Sequence, residues 1–414
     1  MTGSGSRLKV LILSDLHFCK APTEPKMKEH SWLVHDDPNG LRIWDDMLAT
    51  LEEEYVEPDL ILCPGDITTG ACGDSLKIAW NKLHELKERF PNASLAVATG
   101  NHDVQSRSPQ KASDAMQEME QFCDLTQNLK LLDPPYPIIP SNVDSGYCVK
   151  SNRIHYFGTD FSLYDEDPRY RLVVLNSCAR HRNDSKEFNR GSIGEASLKW
   201  LREEIERSED NAKINILLCH HHPIKHDEHG LGQYDQMYDG DKLMSLLKDD
   251  GHWMVVHGHK HHARLVYDGA GNRKTTVFSA GTFSAHKDTF GPEFHNQFYL
   301  LEIEPRPNRA PRGVVKVWNW TPTESWTLGF NTRQRVFTGV GFGYVGELEL
   351  LAERISSQLT LLQEKSWSDL SGLVEDIKYL VPQDHIYLKD ILERSNIEVS
   401  LSRDGSVDKL RKVG

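Results

Sequence analysis

Five short apolar runs in this chain each end in a loop of small residues that carries an Asp, Asn or His. Val10-Leu11-Ile12-Leu13 leads into Ser14-Asp15-Leu16-His17. Leu60-Ile61-Leu62-Cys63 leads into Gly65-Asp66, and Leu95-Ala96-Val97-Ala98 into Gly100-Asn101-His102-Asp103. Ile214 to Cys219 precedes His220-His221-His222-Pro223, and Trp253-Met254-Val255-Val256 precedes Gly258-His259-Lys260-His261. Runs of four to six apolar residues bounded by Gly or Pro read as buried strands. In open α/β sheets, ligands bind beyond the carboxyl ends of the strands. Five such loops therefore converge on one point and confine the chain to an α/β class. Glycines at 65, 100 and 258 allow sharp turns there.

The residue types define the chemistry of that point. Carboxylate, amide and imidazole are mixed N/O donors for divalent ions such as Mn, Fe or Zn. No thiolate cluster accompanies them, which argues against structural zinc. His259 and His261, two apart, lie on one side of an extended segment. Asp66 is the natural bridge between two ions. Ten of the twenty histidines fall between 220 and 262, and a His-rich loop alone is a weak metal signal. The joint pattern is not.

The five blocks resemble those of the calcineurin-like metallophosphoesterase superfamily. Leu172 to Ser177, Gly191 through Trp200-Leu201, and Val277 to Thr282 are similar to further segments of that family. The resemblance spans roughly residues 7–302 and is closest in layout to bacterial cyclic-nucleotide phosphodiesterase-like proteins. It implies a four-layer α/β/β/α sandwich of two mixed sheets; the C-terminal helical extension lies outside the resemblance. It implies two divalent metal ions, Mn first, with Fe or Zn as alternatives. One ion would be held by Asp15, His17, Asp66 and His261, the second by Asp66, Asn101, His221 and His259. His221 is preferred to His220 and His222 because the family ligand usually stands two residues before a proline. His102 would be a catalytic general acid near the leaving group, with Asp103 beside it to orient it, and a hydroxide bridging the ions would attack a phosphodiester. Two features depart from the pattern: a long insert at about 19–45, and Asn176 where an Asp is more common.

Residues 41–57, 74–90 and 112–132 read as amphipathic helices. The expected catalytic domain is 1–335 and the extension 340–414. In the extension, helices are expected on Leu348-Leu351-Ile355-Leu359-Leu362, on Leu370-Leu373-Ile377-Leu380 ended by Pro382, and near 386–394, with a frayed end from Ser400. The extension either packs on the catalytic domain or serves a homo-oligomer or partner protein.

The net charge of −13 is opposite to that of nonspecific nucleic-acid binders. Arg107, Arg180, Arg182, Arg190 and Arg264 lie near the motif loops as candidates for substrate phosphate. No apolar run reaches about 18 residues, so no membrane span is expected. The polar start lacks a secretory pattern, and seven scattered cysteines read as reduced thiols, so the expectation is cytoplasmic. The expected substrate is a nucleotide or another phosphodiester. The alternative is a DNA nuclease working as a subunit of a larger complex.

Overall fold

The computed structural model describes residues 7–22, 30–104, 127–141, 155–157, 160–181, 190–207, 213–225, 236–250, 252–269, 274–286, 294–306 and 309–413. Most of the expected helix at 112–132, and Arg107 and Arg182, lie outside these residues.

Two large mixed sheets face each other. In the first, β1 (Leu8–Ile12), β2 (Leu60–Cys63) and β3 (Ser94–Val97) run parallel. The short β4 (Ile138–Ile139) flanks β3, and β12 (Asn296–Glu304) pairs antiparallel with β1. Beyond β12 lie β13 (Arg312–Thr321), then β14 (Ser325–Leu328) and β15 (Gly341–Phe342). The second sheet is built on the parallel strands β7 (Tyr170–Leu175), β8 (Ile214–Leu218), β9 (Trp253–His257) and β11 (Thr275–Ser279). Its edges are β10 (Arg264–Asp268) on one side and β6 (Phe161–Tyr164) with β5 (His155–Phe157) on the other.

The apolar runs are strands because both of their faces are covered. Every residue of β2, β3, β8 and β9 is buried, the usual condition of parallel strands with layers above and below. Ile12, Leu62, Val174, Ile216, Met254 and Leu301 pack with one another between the sheets. The outer face of the first sheet is covered by α1 (Arg42–Glu53) and α2 (Gly73–Arg89), through Trp44, Met47, Trp80 and Leu83. The outer face of the second is covered by α4 (Glu195–Arg207) and α5 (Gly240–Asp250), through Leu201, Ile205, Leu243 and Leu247. The turn Gln127–Lys130 is α3. This is the four-layer α/β/β/α sandwich, and the loops leaving β1, β2, β3, β7, β8 and β9 share one rim.

The C-terminal region is less purely helical than expected. Helices α6 (Leu348–Ser357), α7 (Trp367–Leu373) and α8 (Pro382–Arg394) pack with a three-stranded sheet of β16 (Glu364–Ser366), β18 (Val407–Lys412) and β17 (Ile397–Leu401). Pro382 opens α8 instead of closing the helix before it, the position where its missing N–H costs nothing. The end is not frayed: β17 and β18 form a hairpin with Gly405 at φ 84° in its turn. The unit has its own core of Leu351, Ile355, Leu370, Leu388, Leu392 and Leu410. It also packs on the sandwich. Val381 enters the inter-sheet core, Tyr379 donates to Glu304 at 3.0 Å, and the Gly341 N–H donates to the Leu380 carbonyl at 2.8 Å. No helix among the described residues is long and apolar enough to cross a membrane.

Candidate metal centre

The rim brings nearly all the sequence-derived residues into one buried cluster. Five of them hold left-handed backbone: Asp15 (φ 53°), His17 (50°), Asp66 (51°), His259 (86°) and His261 (62°). Such a conformation costs a non-glycine residue about 1–2 kcal/mol, and concentrated strain of this kind marks functional sites. It is held in place by hydrogen bonds. The His259 N–H donates to Asp15 Oδ1 at 3.1 Å, the His17 N–H to the Asp66 carbonyl at 2.9 Å, and the His102 N–H to Asp66 Oδ1 at 2.7 Å. Gly100 is required because a Cβ there would stand 2.1 Å from the Asp66 nitrogen and 2.2 Å from its Oδ1.

The donor atoms fall into two groups that share Asp66. In one, His17 Nε2 lies 3.1 Å from His261 Nε2, His261 Nε2 lies 3.5 Å from Asp15 Oδ1, and His17 Nε2 lies 4.0 Å from Asp66 Oδ2. In the other, His220 Nε2 stands 3.1 Å from Asn101 Oδ1, 3.1 Å from His259 Nδ1 and 3.3 Å from Asp66 Oδ2. Ligands about 2.1 Å from one ion, at right-angled to tetrahedral spacing, stand about 3.0–3.4 Å apart. The second group has that spacing. Asp66 Oδ2 faces both.

The histidines of the run meet different partners. The His220 Nδ1–H donates to the Pro64 carbonyl at 2.8 Å, which fixes the tautomer and leaves Nε2 for the donor group. His221, preferred on its spacing from the proline, places Nδ1 2.8 Å from Ser177 Oγ. Its neighbours are Cys178 and His181, with which it forms a further buried His/Cys group. With His220 and His259 it also forms a group of donor atoms close enough to hold an ion. The difference arises because the first histidine after β8 is the one still at the strand end, where Pro64 and Asn101 meet it. No motif in the sequence marks Ser177, Cys178 and His181 as site residues. The resemblance of Leu172 to Ser177 to a family strand was the available signal.

The electrostatics suit bound cations. Burial brings His17 down to about 3 and His259 well below its usual value, so both imidazoles are neutral. Burial opposes ionisation of Asp66 and Asp15, but His220 beside the first and His261 beside the second hold them below the carboxylate range. Burial also disfavours charge on His220, yet Asp66 and Asp15 raise it to about 9.

His102 is half-buried at the edge of the first group, its ring 5.1 Å from that of His17. Its Nδ1 accepts a long 3.4 Å bond from the Gly70 N–H. The buried Asp103 carboxylate accepts from the backbone N–H groups of Thr68 at 3.0 Å and Gly100 at 2.8 Å. It thus ties the turns after β2 and β3 together; burial, then Asp66, raises its pKa to about 7. Asn176 Oδ1 caps its own turn by accepting from the Cys178 N–H at 3.0 Å, a bond an Asp would also make. The arginines have other contacts. Arg190 bonds the Gln236 carbonyl, Arg264 the Lys225 carbonyl, and Arg180 lies 3.9 Å from Asp160.

A family model described as calcineurin-like phosphoesterase matches residues 8–263. The chain belongs to the calcineurin-like phosphoesterase family. Membership makes it a metal-dependent hydrolase, and the grouped His and Asp donors suit a dinuclear site. A second model, wHTH-Calcineurin_assc, matches residues 340–394. Among curated proteins, the chain is 26% identical over 156 residues to "Probable glycerophosphodiester phosphodiesterase GpdQ" of Arcobacter nitrofigilis, covering 37% of this chain and 50% of that protein. The chain thus spans about half the length of that relative. Similar solved structures include a dimetal phosphatase from Danio rerio, at 12% identity and TM-score 0.43, covering 73% of this chain and 97% of that one. Another is the purple acid phosphatase PPD1 of yellow lupin, at 14% identity and TM-score 0.42, covering 78% and 53%.

Proposed function

We propose that this calcineurin-like phosphoesterase hydrolyses a small, nucleotide-like phosphodiester with two divalent ions. Asp15, His17, Asp66 and His261 would hold one, and Asp66, Asn101, His220 and His259 the other. The observation that carries this reading is the set of donors 3.1–3.3 Å around His220 Nε2, with Asp66 Oδ2 facing both groups. His220 replaces His221 in the ligand set on that geometry. Ions bound there supply Lewis-acid charge to the phosphoryl group and activate water at neutral pH.

The protein supplies orientation and a proton. Because His102 Nδ1 accepts from Gly70, its proton sits on Nε2, available to the departing oxygen. Asp103 braces the turn that carries His102 instead of polarising its ring. Ser177 fixes His221 against the second group as an outer support. A general acid matters most for a poor leaving group, which favours diesters, and the named activity of the Arcobacter relative is also on a diester.

The nuclease reading draws support from the winged-helix match. Charge opposes it: residues 340–414 carry thirteen Asp and Glu against nine Lys and Arg, within a chain of net charge −13. Manganese-loaded protein, with Asp66→Asn as the blank, is assayed on glycerophosphodiesters, cyclic mononucleotides, cyclic dinucleotides and single- and double-stranded DNA. Cleavage of the small nucleotide diesters is expected. Cleavage confined to glycerophosphodiesters would remove the nucleotide assignment. Cleavage of DNA would make the chain a nuclease, and no turnover above the blank would overturn the proposal.

A further inference from the structure

A cavity of about 950 Å³ lies between the sandwich and the C-terminal unit, and none of the donor residues lines it. Its walls come from β10, the segment 330–339, the starts of α7 and α8, and the β17–β18 hairpin. The volume is that of a small-molecule site, at the kind of junction where such sites form. Phe330, Ile386 and Leu401, which line it, are also exposed, so it opens to solvent.

The lining chemistry is selective. Tyr267, Phe337 and Trp367 provide aromatic surface. Arg264, Arg335, Lys378 and Lys389 provide four cations against two lining carboxylates, Asp384 and Asp408. Lys389 is shared with Glu393 at 3.0 Å. Ser366, Ser368 and Ser371 belong to the same lining. Aromatic faces, an excess of cations and hydroxyl donors together recognise a flat ring bearing an anionic group.

The cavity is also wired to the metal centre. Arg264 opens β10, three residues after His261, and its guanidinium bonds the Lys225 carbonyl at 3.2 Å, just beyond the His220–Pro223 run. One side chain therefore touches the cavity and links the loops that follow β8 and β9. A ligand that draws on Arg264 shifts a bond between two loops that carry donors.

We propose that this cavity is a second, regulatory ligand site that takes an aromatic anion. The probe is 1-anilinonaphthalene-8-sulfonate, titrated by fluorescence into metal-loaded full-length protein with inorganic phosphate in excess to occupy the donor groups. One saturable site per chain is expected, with the uncharged N-phenyl-1-naphthylamine bound at least about tenfold more weakly, the effect of one lost charged contact. Lys378→Gln with Arg335→Gln should weaken the sulfonate about tenfold and leave the neutral dye unchanged. Ser371→Trp, which places a large ring in the cavity from α7, should remove the site for both dyes. Circular dichroism checks that each variant is folded. Equal affinity for the two dyes in the wild-type protein, or full binding by a folded Ser371→Trp variant, would overturn the site. A sulfonate that saturates the site without changing phosphodiester turnover would overturn its regulatory role.

Discussion

Replacement of His220 by Ala should remove one metal ion and leave the other. Its Nε2 is central to the second donor group, at 3.1 Å from Asn101 and His259 and 3.3 Å from Asp66. Without it, three donors remain, and the Pro64 carbonyl loses its imidazole partner. Loss of an outer partner of a metal ligand typically weakens binding about 10–100-fold, so loss of the direct donor should exceed about 100-fold, or more than about 2.7 kcal/mol. His221→Ala removes the contact to Ser177 and the ring packing beside His220 and His259, but no direct donor on this account, and should fall within about 10–100-fold. The unsatisfied Pro64 oxygen adds a fold penalty of about 1–3 kcal/mol, visible as a lower Tm of the metal-free His220→Ala protein. Calorimetric titration of metal-free protein with Mn²⁺, with bound metal counted by elemental analysis, reads both effects. Two ions are expected for wild type and one for His220→Ala. If His220→Ala keeps both ions at wild-type affinity while His221→Ala loses one, the ligand assignment is wrong.

Three further outcomes follow from the same geometry. In the metal-free protein His220 is raised from 6.5 to about 9 by Asp66 and Asp15 against the effect of burial. Its contribution to metal-free stability is therefore full below 6.5 and lost as pH rises through about 9. A divalent ion must displace that proton, so affinity for the second ion should rise about tenfold per pH unit from 6.5 to 8.5, and a flat calorimetric profile would refute the linkage. Gly100→Ala would press a Cβ to 2.2 Å from Asp66 Oδ1 and displace the shared carboxylate; kcat should fall about 100-fold with retained circular dichroism, and near-normal turnover would contradict the shared role. His102→Ala should cost about 10²–10⁴-fold on alkyl phosphodiesters and much less on p-nitrophenyl diesters, whose leaving group needs no proton; equal losses would remove the general-acid role.

Much of this was legible in the sequence because the strands announce themselves. Runs such as Ile214–Leu218 and Trp253–His257 are apolar throughout since both faces are buried, and the polar residue that ends each run must lie on the rim. Which of His220, His221 and His222 meets Pro64 and Asn101 is not legible in the same way, because those residues lie more than a hundred positions away. The role of Asp103 was hidden for a similar reason: its partners are backbone N–H groups of two turns, which side-chain spacing does not reveal. The hairpin at the C-terminus has a signal in the sequence. Ile397, Val399 and Leu401 alternate, and Asp404-Gly405 is a turn pair suited to positive φ. Pro382 was read as a stop where it is a start, since proline is equally at home in the first turn of a helix. The cavity beside β10 has no sequence signal, because it is assembled from five separated segments.

The central claim is that two ions sit in two donor groups joined by Asp66. Anomalous diffraction at the manganese edge from crystals grown with Mn²⁺ tests it directly. The account predicts two separate peaks, one among Asp15, His17 and His261 and one among Asn101, His220 and His259, with the Asp66 carboxylate contacting both. A single peak, or a second peak held by His221, Cys178 and His181 with His220 outside it, would contradict the account.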